Sequence, residues 1–172
     1  GIDLVVSRLA IGGGEIHLVD YRINAQAPYR YQIDNLNVEA RDISLEQSFP
    51  FSGKARLNGA DFSVDGKANP KTQSGEAAIH LANLDLTAFL PYFREKLPGH
   101  LGSLKLDLNL SAVVGADKLA AAGNLTLRDI DVNLNALPKV PIAQARLAVD
   151  YDLLYEMCAG KLAVNRMRVD LN

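Results

Sequence analysis

In an extended chain side chains alternate strictly between two faces, and this sequence breaks that alternation repeatedly with one spacing. Apolar residues follow one another at two, three and two positions starting from Leu4, Tyr31, Val38, Ile79, Leu125 and Leu162. Four of these stretches are also alike chemically: YQIDNLNV, VEARDISL, IHLANLDL and LTLRDIDV. Each carries Asn or Asp at its fifth position (Asn35, Asp42, Asn83, Asp129) and Asn, Asp or Ser at its seventh (Asn37, Ser44, Asp85, Asp131). A one-residue slip turns the apolar set to the wrong face unless an extra residue is bulged out. A short Asn or Asp tolerates the left-handed backbone that a bulge can require. The spacing therefore predicts a β-sheet bent toward one side at several places. The competing reading is that each slip ends one strand and begins another through a tight turn. The intervals between copies are unequal, which makes this a recurring local device and not a tandem repeat.

The clearest single element is a long antiparallel hairpin over Leu101–Leu134. Leu104, Leu106, Leu108, Leu110 and Ala112 alternate with Lys105, Asp107, Asn109 and Ser111. Gly115-Ala116-Asp117 supplies a turn, and Leu119, Ala121, Gly123, Leu125 and Leu127 resume the alternation before the slip to Ile130, Val132 and Leu134. Earlier in the chain, Gly12-Gly13-Gly14 reads as a hairpin turn between residues 2–11 and a short strand over 15–20. A phosphate-cradling loop would need a following helix and usually a Lys. A long strand follows Pro28 and slips twice before Leu45; Phe49-Pro50-Phe51 interrupts. A hairpin over Lys54–Ala68 turns at Asn58-Gly59, and the polar stretch Asn69–Gly75 reads as a loop. Leu86, Phe89, Leu90, Phe93 and Leu97 fall on one face of a short amphipathic helix, capped by Thr87 or Asp85 and ended by Pro98-Gly99. Such a helix is either a lid on the sheet or a membrane-surface anchor, and Arg94-Glu95-Lys96 lacks the basic bias of an anchor. Pro138 and Pro141 mark an exposed connection. A strand over Ala145–Tyr155 and a turn at Ala159-Gly160-Lys161 lead to the last strand, from Leu162 to Val169.

The expected fold is therefore mainly β: a long antiparallel, strongly bent and twisted sheet forming a half-open, U-shaped groove, with one short helix over about 86–97. The 172 residues read as a single β segment, 1–172. The amphipathic pattern is still running at both ends with no initiator Met, as expected of a fragment of a longer polypeptide. Hydrophobic residues make up 48% of the chain, yet no apolar run has the length of a membrane span. A net charge of −2, no basic stripe and few aromatics argue against nucleic acid. One cysteine, Cys158, makes neither a disulfide framework nor a zinc site. With one helix and no Trp to cover it, the apolar face must close into a barrel, fold into a sandwich or curl into a trough. An inner face of Leu, Ile, Val, Ala and Gly suits acyl chains better than a ligand that needs hydrogen bonds; the alternative is a filled, dry core. The expected lining is Ile79, Leu81, Leu104, Leu106, Leu108, Leu110, Leu125, Leu127, Ile130, Val132, Leu147 and Val149.

Residues able to carry chemistry are scattered. His17, His80 and His100 have no Cys, Asp or Glu at ligand spacing. Asp129 with Asp131, and Asp150 with Asp152, lie two apart on strands, as paired acids would, but such pairs are common on solvated strand faces. Ser52-Gly53 and Ser74-Gly75 lack the preceding glycine of a nucleophile elbow. The sequence reads as non-enzymatic, with no metal and no cofactor.

The stretch LANLDLTAFLPYFREKLPGHLGSLKLDLNLSAV, Leu81–Val113, together with the slip motif resembles the AsmA-like superfamily of Gram-negative envelope proteins, in particular its large domain-of-unknown-function branch. Leu84-Asp85-Leu86, Phe89-Leu90-Pro91-Tyr92, Leu97-Pro98 and Gly102-Ser103-Leu104-Lys105-Leu106 stand in the places of that family's phrase. The opening Leu9–Asp20 is similar to a second family phrase. The resemblance implies a periplasmic protein tethered to the inner membrane, whose strands build a groove carrying phospholipid acyl chains toward the outer membrane. It brings no catalytic residue. Membrane contact would come through parts of the polypeptide absent from this chain, and sheet edges would meet other envelope proteins. The alternative is a non-enzymatic structural or interaction module acting in outer-membrane protein assembly, docking through an edge strand or through the helix.

Overall fold

The computed structural model describes residues 5–22, 24–93, 97, 99–136 and 142–172. Nine strands run in chain order: β1 Val5–Asp20, β2 Tyr29–Ser44, β3 Phe49–Leu57, β4 Ala60–Asn69, β5 Ser74–Asp85, β6 Gly99–Val114, β7 Lys118–Leu134, β8 Ile142–Glu156 and β9 Lys161–Leu171. Each pairs antiparallel with the next, and their spatial order is their chain order. The result is one open, unclosed sheet with β1 and β9 at its edges. Local turn chemistry suffices for this topology, because antiparallel neighbours need only tight connections. Asn58 and Gly59 both take positive φ, 48° and 84°, as a two-residue hairpin turn demands. Gly115 closes the β6–β7 turn by donating its N–H to the Lys118 carbonyl at 2.7 Å.

The expected turn at Gly12-Gly13-Gly14 is overturned, since β1 runs straight through it. The glycines mark a bulge instead: Ile11 pairs with Val38, Gly14 with Leu36 and Ile16 with Ile33. Gly13 has φ 65°, and a Cβ on Gly14 would stand 3.3 Å from the Leu36 Cβ. Phe49-Pro50-Phe51 does not interrupt either. It opens β3, and Pro50, the second residue of that strand, lies beyond the last β2 partner, Phe51, where a missing N–H is tolerated. The expected loop over Asn69–Gly75 shrinks to a turn over 70–73, because β4 continues to Asn69 and β5 begins at Ser74. Leu4 with the start of its slip, Arg94-Glu95-Lys96, Pro98, Pro138 and Pro141 lie outside the described residues.

The slips are bulges inside continuous strands. Asn35, Asp42, Asn83 and Asp129, the fifth residues of the four similar stretches, all take φ between 50° and 64°. Register shifts sit at Asn35, Asn83 and Asp129, and a further one falls at Asn165 of β9, where Asp152 pairs with Arg166 but Leu153 with Val164. At Asp42 no shift occurs, because β1 slips opposite it: Val6 pairs with Ile43 and Arg8 with Arg41. Three further strands bulge where the sequence reading placed no slip: β1 at Gly13, where it expected a turn, β6 at Gly102-Ser103, and β8 at Gln144, one residue before the strand it expected. The bulges at Gly13, Asn35, Asn83, Ser103, Asp129 and Gln144, with the β3–β4 turn at Asn58-Gly59, form one line across β1–β8. A bulge bends its strand and increases its twist, so a common line bends the whole sheet.

Side chains hold this line together. The N–H of a left-handed residue is accepted by an Asn or Asp of the neighbouring strand three times over: Gly13 by Asn37 Oδ1 at 3.1 Å, Asn83 by Asp107 Oδ1 at 2.7 Å, and Gln144 by Asp131 Oδ1 at 2.9 Å. Ser103 Oγ donates to Asp131 Oδ2 at 2.8 Å, and Arg128 bridges Asp107 and Asn83. Replacing Asn83 by Val should lower unfolding stability by about 1–2 kcal/mol relative to Asn83→Gly, the cost of a left-handed residue with a branched Cβ. Both variants lose the bond to Arg128, so urea denaturation of the pair isolates the backbone effect.

Candidate apolar binding face

Residues paired across an antiparallel ladder share a face, so the registers identify which side chains lie together. One unbroken row crosses all nine strands: Ile11, Val38, Gly53, Val64, Ile79, Leu110, Gly123, Tyr151 and Met167. Leu81, Leu108, Leu125 and Val149 lie in the next row, and Leu106, Leu127 and Leu147 in the one after. Leu104 is the next inward position of β6, Ile130 pairs with Ala145, and Val132 pairs with both Leu101 and Ile142. All twelve expected lining residues thus fall on one face, and every one of them is half-buried. The row from Leu9 to Val164 extends that face over β1–β4 and β9, which the expected lining omitted although the same alternation marks them.

This face has no packed second layer among the described residues. Its buried hydrophobics are only Ala55, Ala60, Leu84 and Leu101, and no large side chain falls below 2% exposure. At the edges Leu9 is 57% and Met167 64% exposed. Part of the floor is built from small residues, Gly66, Ala77, Ala112 and Ala121 in register. Phe51 lies across the first of these: a Cβ on Gly66 would come within 2.6 Å of the Phe51 ring. Phe51, Ala68, Gly75, Ala77, Ala112 and Val114 line a depression of about 340 Å³ at this end. A larger hollow, about 630 Å³, is framed by Glu39, Arg41, Ser52, Asp65, Lys67 and Glu76 of the opposite face. Charges of both signs lie side by side there, and the Glu39 carboxylate is held low by its bonds to Arg41 and Arg8.

At the other end the sheet has a notch. β3 and β4 stop at Leu57 and Ala60, whereas β2 continues through Tyr29–Gln32 and β6 through Gly99–Leu104 without strands between them. The opening spans four strand spacings, about 19 Å. The expected helix begins at Leu86 and fills it as a 3₁₀ helix, Leu86–Tyr92, about 14 Å long. Asp85 caps it, accepting the Thr87 N–H at 2.9 Å. Pro91 lacks the N–H that an α-helix would use at that position, and the tighter period of three aligns Leu86, Phe89 and Tyr92 in place of the face with Leu90 and Phe93. Phe89 stacks on Tyr31 with ring centres 5.1 Å apart, and Tyr92 donates to Asp20 Oδ2 of β1 at 2.6 Å. That bond raises the Tyr92 phenol and lowers the Asp20 carboxyl. The helix thus straps β5–β6 to β1–β2. The Tyr31 hydroxyl is buried beneath it, beside Tyr92.

Several of the candidate chemical groups have structural partners. His80 Nδ1 is 2.6 Å from Asn109 Oδ1, and His17 lies 3.7 Å from Glu15 on an exposed strand. Asp129 pairs with Lys105 at 3.1 Å while Asp131 braces Gln144 and Ser103, so the two acids serve different partners. The Gln144 N–H and the Ser103 hydroxyl lower the Asp131 carboxyl, the opposite of what a proton donor near neutrality requires. Asp152 accepts from Asn165, and Asp150 faces Arg168 across the ladder. Among the described residues no three His, Cys, Asp or Glu side chains gather as a metal-holding group, and no helix is long and apolar enough to cross a membrane. No protein-family model matches the chain, and no curated protein or solved structure matches it.

Two measurements probe this architecture. Arg128 holds Asp107 below the ordinary carboxylate range, so the folded protein binds this proton less readily than the unfolded chain. The resulting stability is fully present above the unfolded value, about 3.9, and is lost as pH falls through the lower folded value. The melting temperature should therefore drop more steeply below about pH 4 in the wild type than in Asp107→Asn. Removing the strap's latch by Tyr92→Phe should speed hydrogen exchange of Thr87–Tyr92 while leaving β6–β8 unchanged.

Proposed function

We propose that this chain is a segment of an apolar β-trough that binds lipid acyl chains, as in an AsmA-like envelope protein that moves phospholipid between the inner and outer membranes. The single observation that carries the reading is the continuous apolar face, nine strands wide and without a covering layer among the described residues. Soluble monomers rarely leave contiguous apolar surface of this kind to water; when they do, it marks a ligand, a membrane or a partner. The face offers acyl chains what they need, which is apolar area without specific hydrogen bonds. Orienting polar groups are scarce on it, and the polar bulge clamps lie in the ladder and on its other side. In this reading the protein lies in the periplasm, and its tether and membrane contacts belong to other parts of the polypeptide. It catalyses no reaction and needs no cofactor. A second reading is an interaction module in outer-membrane protein assembly that docks through a sheet edge or through the strap.

The chain purified from a Gram-negative host should carry phospholipid in roughly stoichiometric amount, detected by mass spectrometry after extraction. Leu108→Asp, in the middle of the face, should lose that lipid and keep its β circular dichroism and cooperative unfolding, because a half-buried site leaves the new carboxylate partly solvated. Lipid-free wild-type protein would overturn the trough reading in favour of the interaction module. Unfolding of Leu108→Asp would instead mean that the face is a dry core, where an unpaired charge is costly.

A further inference from the structure

The strap closes over a stretch of the apolar face that water does not reach. On one side of it Ile33, Leu57 and Ala60 stand in register across β2–β4, and on the other Leu84, Leu106 and Leu127 stand in register across β5–β7. Ala60 and Leu84 lie just beyond the last β4–β5 pair, Asp61 with Ala82, so the two runs meet at the strap as one row. The outer four residues are half-buried, like the rest of the face. The two in the middle are sealed, Ala60 at 1% and Leu84 at 7% exposure. A chain of methylenes is wider than a water molecule, so none fits between the strap and these residues.

Most of what holds the strap down is what an acyl chain also offers. Phe89 lies flat on Tyr31, the ring planes 3° apart, and Tyr92 leans on Tyr29 and Tyr31 with ring centres 6.4 and 6.1 Å away. Such contacts gain from buried apolar area and need no hydrogen bond. The directional hold on the far arm is the bond from Tyr92 to Asp20, and Tyr92 is 42% exposed. Where the strap leaves β5, the Asp85 carboxylate accepts from both the N–H and the hydroxyl of Thr87. The capped end is therefore tied locally, and the latch at the other end is the weaker hold. We propose that the strap is an internal competitor of the trough's ligand: closed, it takes the place of an acyl chain where the row passes from Ala60 to Leu84, and a bound chain displaces it. This competition presupposes the acyl-chain trough proposed above. A chain entering this stretch replaces one apolar cover with another and gives up one latch, so the two states are close in free energy. A site open only a fraction of the time binds with its affinity reduced by that fraction. The coupling is reciprocal, since a ligand that favours the open strap must bind better when the strap is loosened.

Equilibrium dialysis of oleate against the lipid-stripped chain reads the affinity, and hydrogen exchange with and without oleate reads the strap. Tyr92→Phe should bind oleate about two- to tenfold more tightly than the wild type, the factor by which loss of one hydrogen bond raises the open fraction. Phe89→Ala, which takes the ring off Tyr31, should act in the same direction. In the wild type oleate should speed exchange of the Thr87–Leu90 amides about twofold or more. A short bismaleimide joining Asp20→Cys to Tyr92→Cys, with the exposed Cys158 replaced by Ser, should weaken binding about tenfold or more relative to the untied protein. Circular dichroism checks that each form folds. Weaker binding by Tyr92→Phe, or slower strap exchange with oleate present, makes the strap a clamp over the ligand and overturns the proposal. Equal binding by all forms with strap exchange unmoved overturns it too, and leaves the trough reading in place. Absence of oleate binding in every form overturns the trough reading itself, and the competition falls with it.

Discussion

A strand cannot absorb one extra residue without consequence, since every side chain beyond it changes sides. The rest of this structure depends on how that constraint is met. At three of the bulges the extra residue is taken up in a left-handed conformation, and its N–H is accepted by an Asn or Asp on the adjoining strand. Gly13 with Asn37, Asn83 with Asp107, and Gln144 with Asp131 are three instances of one solution. Each clamp satisfies a donor that would otherwise face an empty ladder position. Each also requires that the neighbouring strand present its acidic or amide side chain at the same height, and this requirement propagates the bulge from strand to strand as a line.

A line of bulges explains why the sheet keeps its apolar residues together and still leaves them uncovered. In a flat sheet of this width the apolar face would need a second layer of equal area. Each interior strand is flanked on both sides, so the side chains on either face are half-buried by their ladder neighbours. Leu162, Val164, Met167, Val169 and Leu171 of β9, flanked on one side, are far more exposed than their counterparts in β5–β7. Exposure on this face is highest at the two edges and rises again at the ends of interior strands, as at Val114, Ile142 and Tyr155.

How much of this was legible in the sequence follows from the same physics. Alternation and the Asn or Asp at the slip were visible because both are local: YQIDNLNV and LTLRDIDV display the bulge within eight letters. The bulges of β1, β6 and β8 were hidden because their inward residues are weak signals. Gly14 fills an apolar place with no side chain, Ala145 is small, and Leu101 and Leu104 bracket Gly102-Ser103 with the same three-residue gap inside a stretch that otherwise alternates. The glycine run misled for a related reason. Three glycines signal backbone freedom, and a bulge in a long strand uses that freedom as readily as a turn does. The partner identities across the ladder, such as Asp107 for Asn83, could not be read at all, since register between strands is a tertiary property.

The strap shows where closure wins over openness. The short β3–β4 hairpin leaves a notch, and the strap turns that notch into the best-covered part of the molecule: Ala60 is 1%, Leu84 7% and Leu101 6% exposed. Sheet alone could not do this, because two further strands there would have continued the trough. A 3₁₀ helix instead brings Phe89 and Tyr92 into line and sets them on Tyr31. One hydrogen bond, from Tyr92 to Asp20, ties the strap to the far side. A short segment held to the far side by ring contacts and one exposed hydrogen bond is a low-stability unit next to strands that are paired on both sides. Opening of the molecule should therefore begin at the strap, in the one place where the apolar face is truly covered.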